Sequence, residues 1–245
     1  MKGESWWALK DWKGLRMPLV FDVYGTLLDV DAAARQAINR HPELETFWPE
    51  FSAQWRQRQL SYSWLRSLMQ DYTPFWQITC DALDVTLEEF AIKDGAMRQT
   101  LLDLYLHLSA YDEVSALLRH AKGEGHHLAV LSNGDPAMLR TALQSAGIID
   151  LFDAVLSVDS LKCYKPDPKV YGLATARFDC SPQEIWFFSS NHWDIAGAGH
   201  YGFQTIWVNR AGKIWDNLPK PPVKTVSTLT EALESLSSAD MKKSQ

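Results

Sequence analysis

The sequence predicts an α/β protein whose core is a parallel β-sheet, with a block of helices inserted after the first strand. Two observations support this fold class. Short apolar runs alternate with stretches of helical periodicity, which is typical of parallel strands joined by helices. One long segment, residues 31–110, has helical character and no convincing strand.

Five short apolar runs are predicted to be strands. The first is Leu19-Val20-Phe21, which ends at Asp22 before a Gly25-Thr26 turn. The others cover residues 127–131, 154–157, 185–188 and 205–208. Four of the five lead into loops rich in Asp, Ser, Asn, Gly or Lys. Because ligands bind at the carboxyl ends of strands in open α/β sheets, we expect the functional site in these loops.

The helical segment is expected to form a subdomain. Apolar residues recur at helical spacing in residues 51–69 and again in residues 95–108. We therefore predict a helical subdomain over residues 31–110 and a core domain made of residues 17–30 and 111–245. Residues 1–16 have no strand or helix period and are expected to be a poorly ordered leader. The polar tail from Ser237 is expected to be frayed.

Composition narrows the class of protein. The 245 residues are 46% apolar and 22% charged, which excludes a disordered, collagenous or coiled-coil chain. A net charge of −6 without a basic block argues against a nucleic-acid partner. No apolar run approaches the ~20 residues that span a bilayer, so we expect no membrane partner. The three cysteines, Cys80, Cys163 and Cys180, lack metal or disulfide spacing, which predicts a soluble protein of the reducing cytoplasm.

Asp22 is the first candidate for chemistry. A carboxylate at the end of a strand, before a tight glycine turn, is suitably placed to act as a nucleophile. A turn-forming Asp beside Gly25 gives the same pattern, and this segment alone does not separate the two interpretations.

Four motifs in the same order resemble the haloacid dehalogenase superfamily. The first is Phe21-Asp22-Val23-Tyr24-Gly25-Thr26-Leu27. The later ones are Leu131-Ser132-Asn133-Gly134, Tyr164-Lys165-Pro166-Asp167-Pro168 and Ser189-Ser190-Asn191-His192-Trp193-Asp194. This resemblance implies a Rossmann-like core with a helical cap.

Two departures from the superfamily pattern disfavour phosphate-ester chemistry. Members that cleave phosphate esters carry a general-acid Asp two residues after the nucleophile, where this sequence has Tyr24. They also hold Mg²⁺ through paired carboxylates, and the fourth motif offers only Asp194 as a charged ligand. A phosphate dianion would then meet the Asp22 carboxylate without a cation between them. We therefore expect no cofactor and no metal.

The sequence is similar to the L-2-haloacid dehalogenases in particular, from Leu19 to about Arg210 and including the run from Trp55 to Arg66. The resemblance implies hydrolysis of short L-2-haloalkanoic acids to D-2-hydroxyalkanoic acids through an aspartyl ester. Its partners would be a small anionic 2-haloacid and halide, in a homodimer. Three alternatives stay open: a phosphate-ester hydrolase, a hydrolase of another 2-substituted acid, and a catalytically silent member.

The family roles carried over by position fall into two groups. The catalytic group is Asp22, Thr26, Arg56, Lys165, Ser189, Asn191 and Asp194. The substrate-binding group is Tyr24, Gln57, Leu60, Phe75, Ser132, Asn133, Tyr171 and Trp193. In these roles Asp22 is the nucleophile and Arg56 receives the halide with Asn133 nearby. Ser132 and Lys165 hold the substrate carboxylate.

Most of these residues also have a plain structural interpretation. Arg56 could be one of several solvated arginines, with Arg58 and Arg66 as rivals. The aromatic residues Trp55, Tyr62 and Trp64 are expected to be core, which leaves Phe75 and Trp193 as the pocket aromatics of the insertion and the fourth motif.

Overall fold

Six parallel strands form the centre of the molecule. The computed structural model describes residues 17–237, so the expected leader and the tail beyond Ser237 lie outside the described residues. The strands are β1 (Pro18–Phe21), β2 (His127–Ser132), β3 (Ala154–Ser157), β4 (Trp186–Ser189), β5 (Gln204–Val208) and β6 (Lys224–Val226). Their order in the sheet is β3-β2-β1-β4-β5-β6. The chain therefore builds outward from β1 on one side and then returns to place β4 on its other side.

The predicted parallel sheet is confirmed, with two corrections. β6 was not predicted, because three residues are too few to show a strand period and are fixed only by pairing with β5. Ile185 was predicted as the start of the fourth strand, but its backbone N–H closes a turn onto the carbonyl of Pro182, so β4 begins one residue later.

Residues 17–237 contain nine α-helices. They are α1 (Val30–Arg40), α2 (Trp48–Met69), α3 (Phe75–Glu89), α4 (Gly95–Leu106), α5 (Val114–Gly123), α6 (Pro136–Ser145), α7 (Pro168–Phe178), α8 (His192–Tyr201) and α9 (Leu229–Ser237). The first five lie between β1 and β2 in sequence. The helix predicted over residues 95–108 ends two residues early, at Leu106. No helix in the described part of the chain is long and apolar enough to cross a membrane.

Two helices begin with similar caps beside strand-end loops. Asp135 accepts a hydrogen bond from the backbone of Met138 and is followed by a proline at the first position of α6. Asp167 and the proline after it start α7 in the same way. These caps fix the loops that carry the second and third motifs.

Apolar side chains form two separate clusters. The larger one packs on both faces of the sheet and includes Leu19, Phe187 and Ile206. The second lies among α1 to α4 and includes Phe51 and Leu101. α2 buries residues four apart, Phe51, Trp55, Gln59 and Ser63, and the first two of these belong to the second cluster.

Candidate active site

The four motifs meet at the carboxyl edge of the sheet, where the strand order reverses between β1 and β4. Asp22 follows β1, Ser132 ends β2, Ser189 ends β4 and Asn191 precedes α8. This is the position at which open α/β sheets bind ligands. The loops in which the sequence predicts the functional site therefore lie together.

Asp22 is buried, and its two carboxylate oxygens have different surroundings. Oδ2 accepts hydrogen bonds from Asn191 Nδ2 at 2.8 Å, Thr26 Oγ1 at 3.1 Å and Ser189 Oγ at 3.3 Å. Among the described residues Oδ1 has one contact, Lys165 Nζ at 3.2 Å. Three donors therefore fix one oxygen while the other keeps a free lone pair.

The turn after Asp22 requires a glycine. Gly25 has a φ of +79°, and a Cβ at this position would lie 3.2 Å from Ser190 Oγ and 3.7 Å from the Arg56 guanidinium. Ser190 also donates its backbone N–H to Thr26 Oγ1 at 2.9 Å. Glycine thus allows the loops after β1 and β4 to approach each other and Arg56.

Lys165 joins two carboxylates. Its side chain is 1% exposed, and Nζ lies 3.2 Å from Asp22 Oδ1 and 2.8 Å from Asp194 Oδ2. Burial acts to lower the pKa of Lys165, but the charges of Asp194 and Asp22 outweigh it and leave the pKa above its ordinary value. The ammonium is therefore a fixed positive charge at neutral pH.

Asp194 is fully buried in the first turn of α8. Burial raises the pKa of Asp194 to about 6, with the charge of Lys165 acting against the shift and the charge of Asp22 adding to it. Tyr171, also buried, donates its hydroxyl hydrogen bond to Asp194 Oδ1 at 2.9 Å. Tyr171 thus holds Asp194, which in turn holds Lys165.

Arg56 extends from α2 into this network. Its guanidinium donates to Asn191 Oδ1 at 2.9 Å, and Asn191 in turn contacts Asp22. The two rival arginines are occupied elsewhere: Arg58 bonds Gln54 and Thr86, and Arg66 bonds Asp71. Of the three arginines, Arg56 is the one that the structure brings to Asp22.

The second motif supports the loop of Lys165. Asn133 Oδ1 accepts a hydrogen bond from the backbone N–H of Lys165 at 3.0 Å. Ser132 is 1% exposed, and its hydroxyl accepts the backbone N–H of Gly134 at 3.2 Å. Both side chains are therefore close to the site, but their described bonds are to backbone.

The residues predicted to form the substrate wall are less uniform. Tyr24 and Phe75 are buried, Leu60 and Trp193 are half-buried, and the side chain of Gln57 is exposed and bonds Ser61 on the next turn of α2. The structure therefore brings most of the predicted wall inward and leaves Gln57 toward solvent.

Tyr24 occupies the position of the general-acid Asp of phosphate-ester hydrolases. Its ring stacks on Tyr105 at 5.3 Å, and its hydroxyl is buried without a hydrogen-bond partner among the described residues. Burial, followed by the neighbouring Tyr105 and the carboxylates of Asp135 and Asp22, raises the pKa of Tyr24 well above its ordinary value. Tyr24 is therefore a weaker acid than an ordinary tyrosine.

Trp64 is a contributor that sequence reasoning assigned to the core. Its indole N–H donates to the backbone carbonyl of Lys165 at 3.1 Å, and its ring meets that of Trp193 edge-on at 5.5 Å. The two bonded residues are 101 positions apart, so no local pattern could have predicted the contact.

The two carboxylates of the site share one cation from within the chain. Asp22 and Asp194 share the ammonium of Lys165 rather than presenting a joint set of free oxygen ligands. Within residues 17–237, the group of side chains whose ligand atoms lie close enough to share a metal ion is His41, Glu43 and Asp94. That group lies in the segment between β1 and β2 and includes no site residue.

Comparison with known proteins agrees with this geometry. The chain belongs to the haloacid dehalogenase-like hydrolase family, which it matches over residues 19–202. The (S)-2-haloacid dehalogenase 1 of Pseudomonas sp. (strain CBS-3) is 44% identical over 213 residues, which cover 86% of this chain and 92% of that protein. The (S)-2-haloacid dehalogenase 4A of Burkholderia cepacia is 41% identical over 219 residues, which cover 89% of this chain and 90% of that protein.

A solved structure extends the likeness to three dimensions. The L-2-haloacid dehalogenase from Xanthobacter autotrophicus, with chloropropionic acid covalently bound, is similar with a TM-score of 0.83 and 30% identity. The aligned region covers 92% of this chain and 100% of that chain. The resemblance predicted from the four motifs is thereby confirmed.

Proposed function

We propose that this protein hydrolyses short L-2-haloalkanoic acids to D-2-hydroxyalkanoic acids through an ester formed on Asp22. The observation that carries the proposal is the asymmetry of the Asp22 carboxylate, with Oδ2 held by three donors and Oδ1 open beside Lys165. The family membership and the named activities of the relatives agree with it.

In the first step, Asp22 Oδ1 attacks the halogen-bearing carbon from the side opposite the halogen. The new C–O bond forms as the carbon–halogen bond breaks, and the halide leaves with the bonding electron pair. The guanidinium of Arg56 stabilises the halide, since it bonds Asn191, which itself holds Asp22, and lies beside the Gly25 turn. Halide is a stable leaving group, so this step needs no general acid.

In the second step, water attacks the carbonyl carbon of the Asp22 ester. Thr26, Ser189 and Asn191, which hold Oδ2, then stabilise the negative charge that develops on it. Asp194 accepts a proton from the water, because its carboxylate shares Lys165 with Asp22 and is ionised above about pH 6. The bond from the carbonyl carbon to Oδ1 breaks, and Oδ1 takes the proton back from Asp194 and leaves as the hydroxyl oxygen of the product. The regenerated Asp22 carboxyl releases the second proton of the water to solvent.

The handedness of the substrate follows from three fixed directions. We assign the substrate carboxylate to Ser132 and Lys165 and the halogen to Arg56. The alkyl group then packs against Tyr24, Leu60 and Phe75. The other enantiomer would exchange hydrogen and alkyl group, and a misplacement of about 1 Å can cost ~10²-fold in rate.

We propose that the reaction is independent of metal. Lys165 already supplies the positive charge between Asp22 and Asp194, and its pKa is raised rather than lowered. Phosphate-ester hydrolysis, the alternative chemistry of the superfamily, is disfavoured because Tyr24 is a weakened acid where an Asp would protonate the leaving alkoxide.

We further propose that α1 to α4 act as a cap over the core domain, with residues 31–110 as its extent. The separate apolar cluster of these helices supports a subdomain. A homodimer is proposed from an exposed apolar face at the end of α2, where Leu65, Leu68 and Met69 lie on one side of the helix. Three free cysteines support the reducing cytoplasm as its compartment.

Halide release tests the proposal. The protein is incubated with L- or D-2-chloropropionate in the presence of EDTA, and separately with a phosphate ester and Mg²⁺. We expect chloride and D-lactate from the L isomer, little from the D isomer, and no activity in Asp22→Asn. Racemic lactate, loss of activity in EDTA that Mg²⁺ restores, or faster phosphate release would overturn it.

A further inference from the structure

A cavity of about 40 Å³ lies between α2 and α4, with Arg56 in its wall. Its polar wall is formed by Ser52, Arg56 and Gln59 from α2 and by Tyr105 from α4. Trp48 and Trp55 face it from α2, and leucines complete the wall. A water needs roughly 10–15 Å³ of such space, so the cavity has room for a halide with one or two waters.

The chemistry of the wall suits a small anion. Arg56 contributes a guanidinium, and Ser52 and Tyr105 carry hydroxyl groups. None of the ten described residues that line the cavity is a carboxylate, so nothing in its wall repels a negative charge. Apart from the Gln59 amide the remaining surface is apolar, which leaves Arg56 as the main source of attraction.

The proposed reaction needs a way for the halide to leave before the ester is hydrolysed, and the cavity offers one. After the first step the substrate's carboxyalkyl group covers Asp22 while the halide lies beyond it, against Arg56. The halide cannot return past this alkyl group until the ester is hydrolysed. A separate opening on the Arg56 side removes the halide during that time and prevents it from attacking the ester in reverse.

We propose that this cavity is the exit route of the halide, with Arg56 at its inner end and Ser52 toward its outer end. The inference rests on the proposed dehalogenation, because it takes the halide as the ion delivered to Arg56. It assigns Ser52, Gln59 and Tyr105 a part in product release and none in ester formation.

Narrowing the cavity tests the route. Ser52 lines the cavity and is half-buried, whereas its neighbour Ala53 is exposed. Ser52→Phe therefore fills the cavity, and Ala53→Phe adds the same ring at the solvent face of the same helix. Rapid-quench mass spectrometry measures the covalent ester formed from L-2-chloropropionate, and a chloride-quenched dye measures free chloride in parallel.

We expect equal rates of ester formation in the wild type and both variants. Free chloride should lag by roughly tenfold in Ser52→Phe alone, because product release then limits turnover. Chloride that keeps pace with the ester in Ser52→Phe would overturn the proposal. Slower ester formation, or a selective loss of longer 2-chloroalkanoates, would also overturn it and assign the cavity to the substrate.

A second measurement needs neither turnover nor a folded variant. Crystals of the wild-type protein soaked in sodium bromide should show an anomalous bromide peak in the cavity beside Arg56. A cavity without bromide at high concentration would contradict the route. An inactive protein that binds bromide there would refute the proposed dehalogenation and leave the anion site standing.

Discussion

At the scale of single residues, the account depends on how Asp22 is held. Oδ2 has three donors at 2.8 to 3.3 Å, while Oδ1 contacts only Lys165 among the described residues. A carboxylate with three donors on one oxygen and a single contact on the other can attack carbon through the second oxygen without losing its orientation. The same donors then face the oxygen that becomes negative when water attacks the ester.

Arg56 should contribute more to turnover than either neighbouring arginine. A halide that leaves inside a pocket develops a full negative charge, and one fixed donor is worth on the order of 2–4 kcal/mol. Arg56→Ala should therefore lower kcat by roughly 30- to 1,000-fold on L-2-chloropropionate. Arg58→Ala is the matched control, since Arg58 bonds Gln54 and Thr86 instead. A comparable loss in Arg58→Ala would show that the wrong arginine has been assigned.

Turnover should fall on the acid side of about pH 6. Burial raises the pKa of Asp194 to about 6, so the ionised form is present above that pH and is lost as the pH decreases. Protonated Asp194 can neither accept the proton of water nor hold Lys165 by charge. Measuring kcat between about pH 5 and 8 gives this acid-side decrease, the acid limb of the pH profile.

Tyr171→Phe tests the same assignment in the opposite direction. The Tyr171 hydroxyl stabilises the Asp194 carboxylate at 2.9 Å, so its removal should move the limb to higher pH. A flat profile down to pH 5, or an unmoved limb in Tyr171→Phe, would contradict the role of Asp194.

At the scale of elements, α2 connects the helical insertion to the catalytic loop at two points. Arg56 bonds Asn191, and Trp64, about two turns later, bonds the carbonyl of Lys165. Trp64 also packs on Trp193. The position of α2 therefore fixes both the Arg56 guanidinium, which is proposed to receive the halide, and the loop that carries Lys165.

Trp64→Phe should lower kcat by about 2- to 10-fold, because it removes one hydrogen bond worth about 0.5–1.5 kcal/mol and keeps most of the packing. Steady-state kinetics and thermal unfolding measure the two effects separately. Trp76→Phe on α3 is the control, since the bond of Trp76 to Asp135 is made by its backbone N–H and survives. Equal kcat losses in both variants would reduce Trp64 to a packing role.

The elements also show which features the sequence could predict. The five apolar strands and the strand-free stretch after β1 are local patterns, and each has its counterpart in the structure. β6 was not predicted because three residues are too few to show the alternation of a strand. The role of Trp64 was not predicted because its partner, Lys165, is distant in sequence. The four motifs identified the loops at the sheet edge, but not which oxygen of Asp22 stays free, since that depends on donors from three loops.

At the scale of the whole molecule, two apolar clusters meet around the site. Phe75 and Ile78 from α3 belong to the cluster of the sheet, although most of α3 packs in the other cluster. The proposed cap is therefore anchored to the core through α3 as well as through α2. Leu28, just before α1, and Ala110, just after α4, form an isolated antiparallel bridge where the chain enters and leaves this helical segment.

The exposed end of α2 predicts the oligomeric state. The side chain of Leu68 is 80% exposed and that of Met69 is 63% exposed, which is costly for an isolated chain. Leu68→Lys should convert the proposed dimer to a monomer in light scattering coupled to size exclusion. Ile214→Lys, at a site that is 92% exposed, is the control and should leave the dimer intact. A wild-type monomer, or a dimer that survives Leu68→Lys, would contradict this interface.

The covalent ester on Asp22 is the central claim, and isotope transfer in a single turnover tests it most directly. Excess protein is mixed with L-2-chloropropionate in ¹⁸O water, and both the product and the peptide containing Asp22 are weighed by mass spectrometry. Because water attacks the Asp22 carbonyl, we predict ¹⁸O in the Asp22 carboxylate and unlabelled oxygen in the lactate. Label in the lactate with none in Asp22 would mean that water attacks the substrate itself, and the account would be wrong.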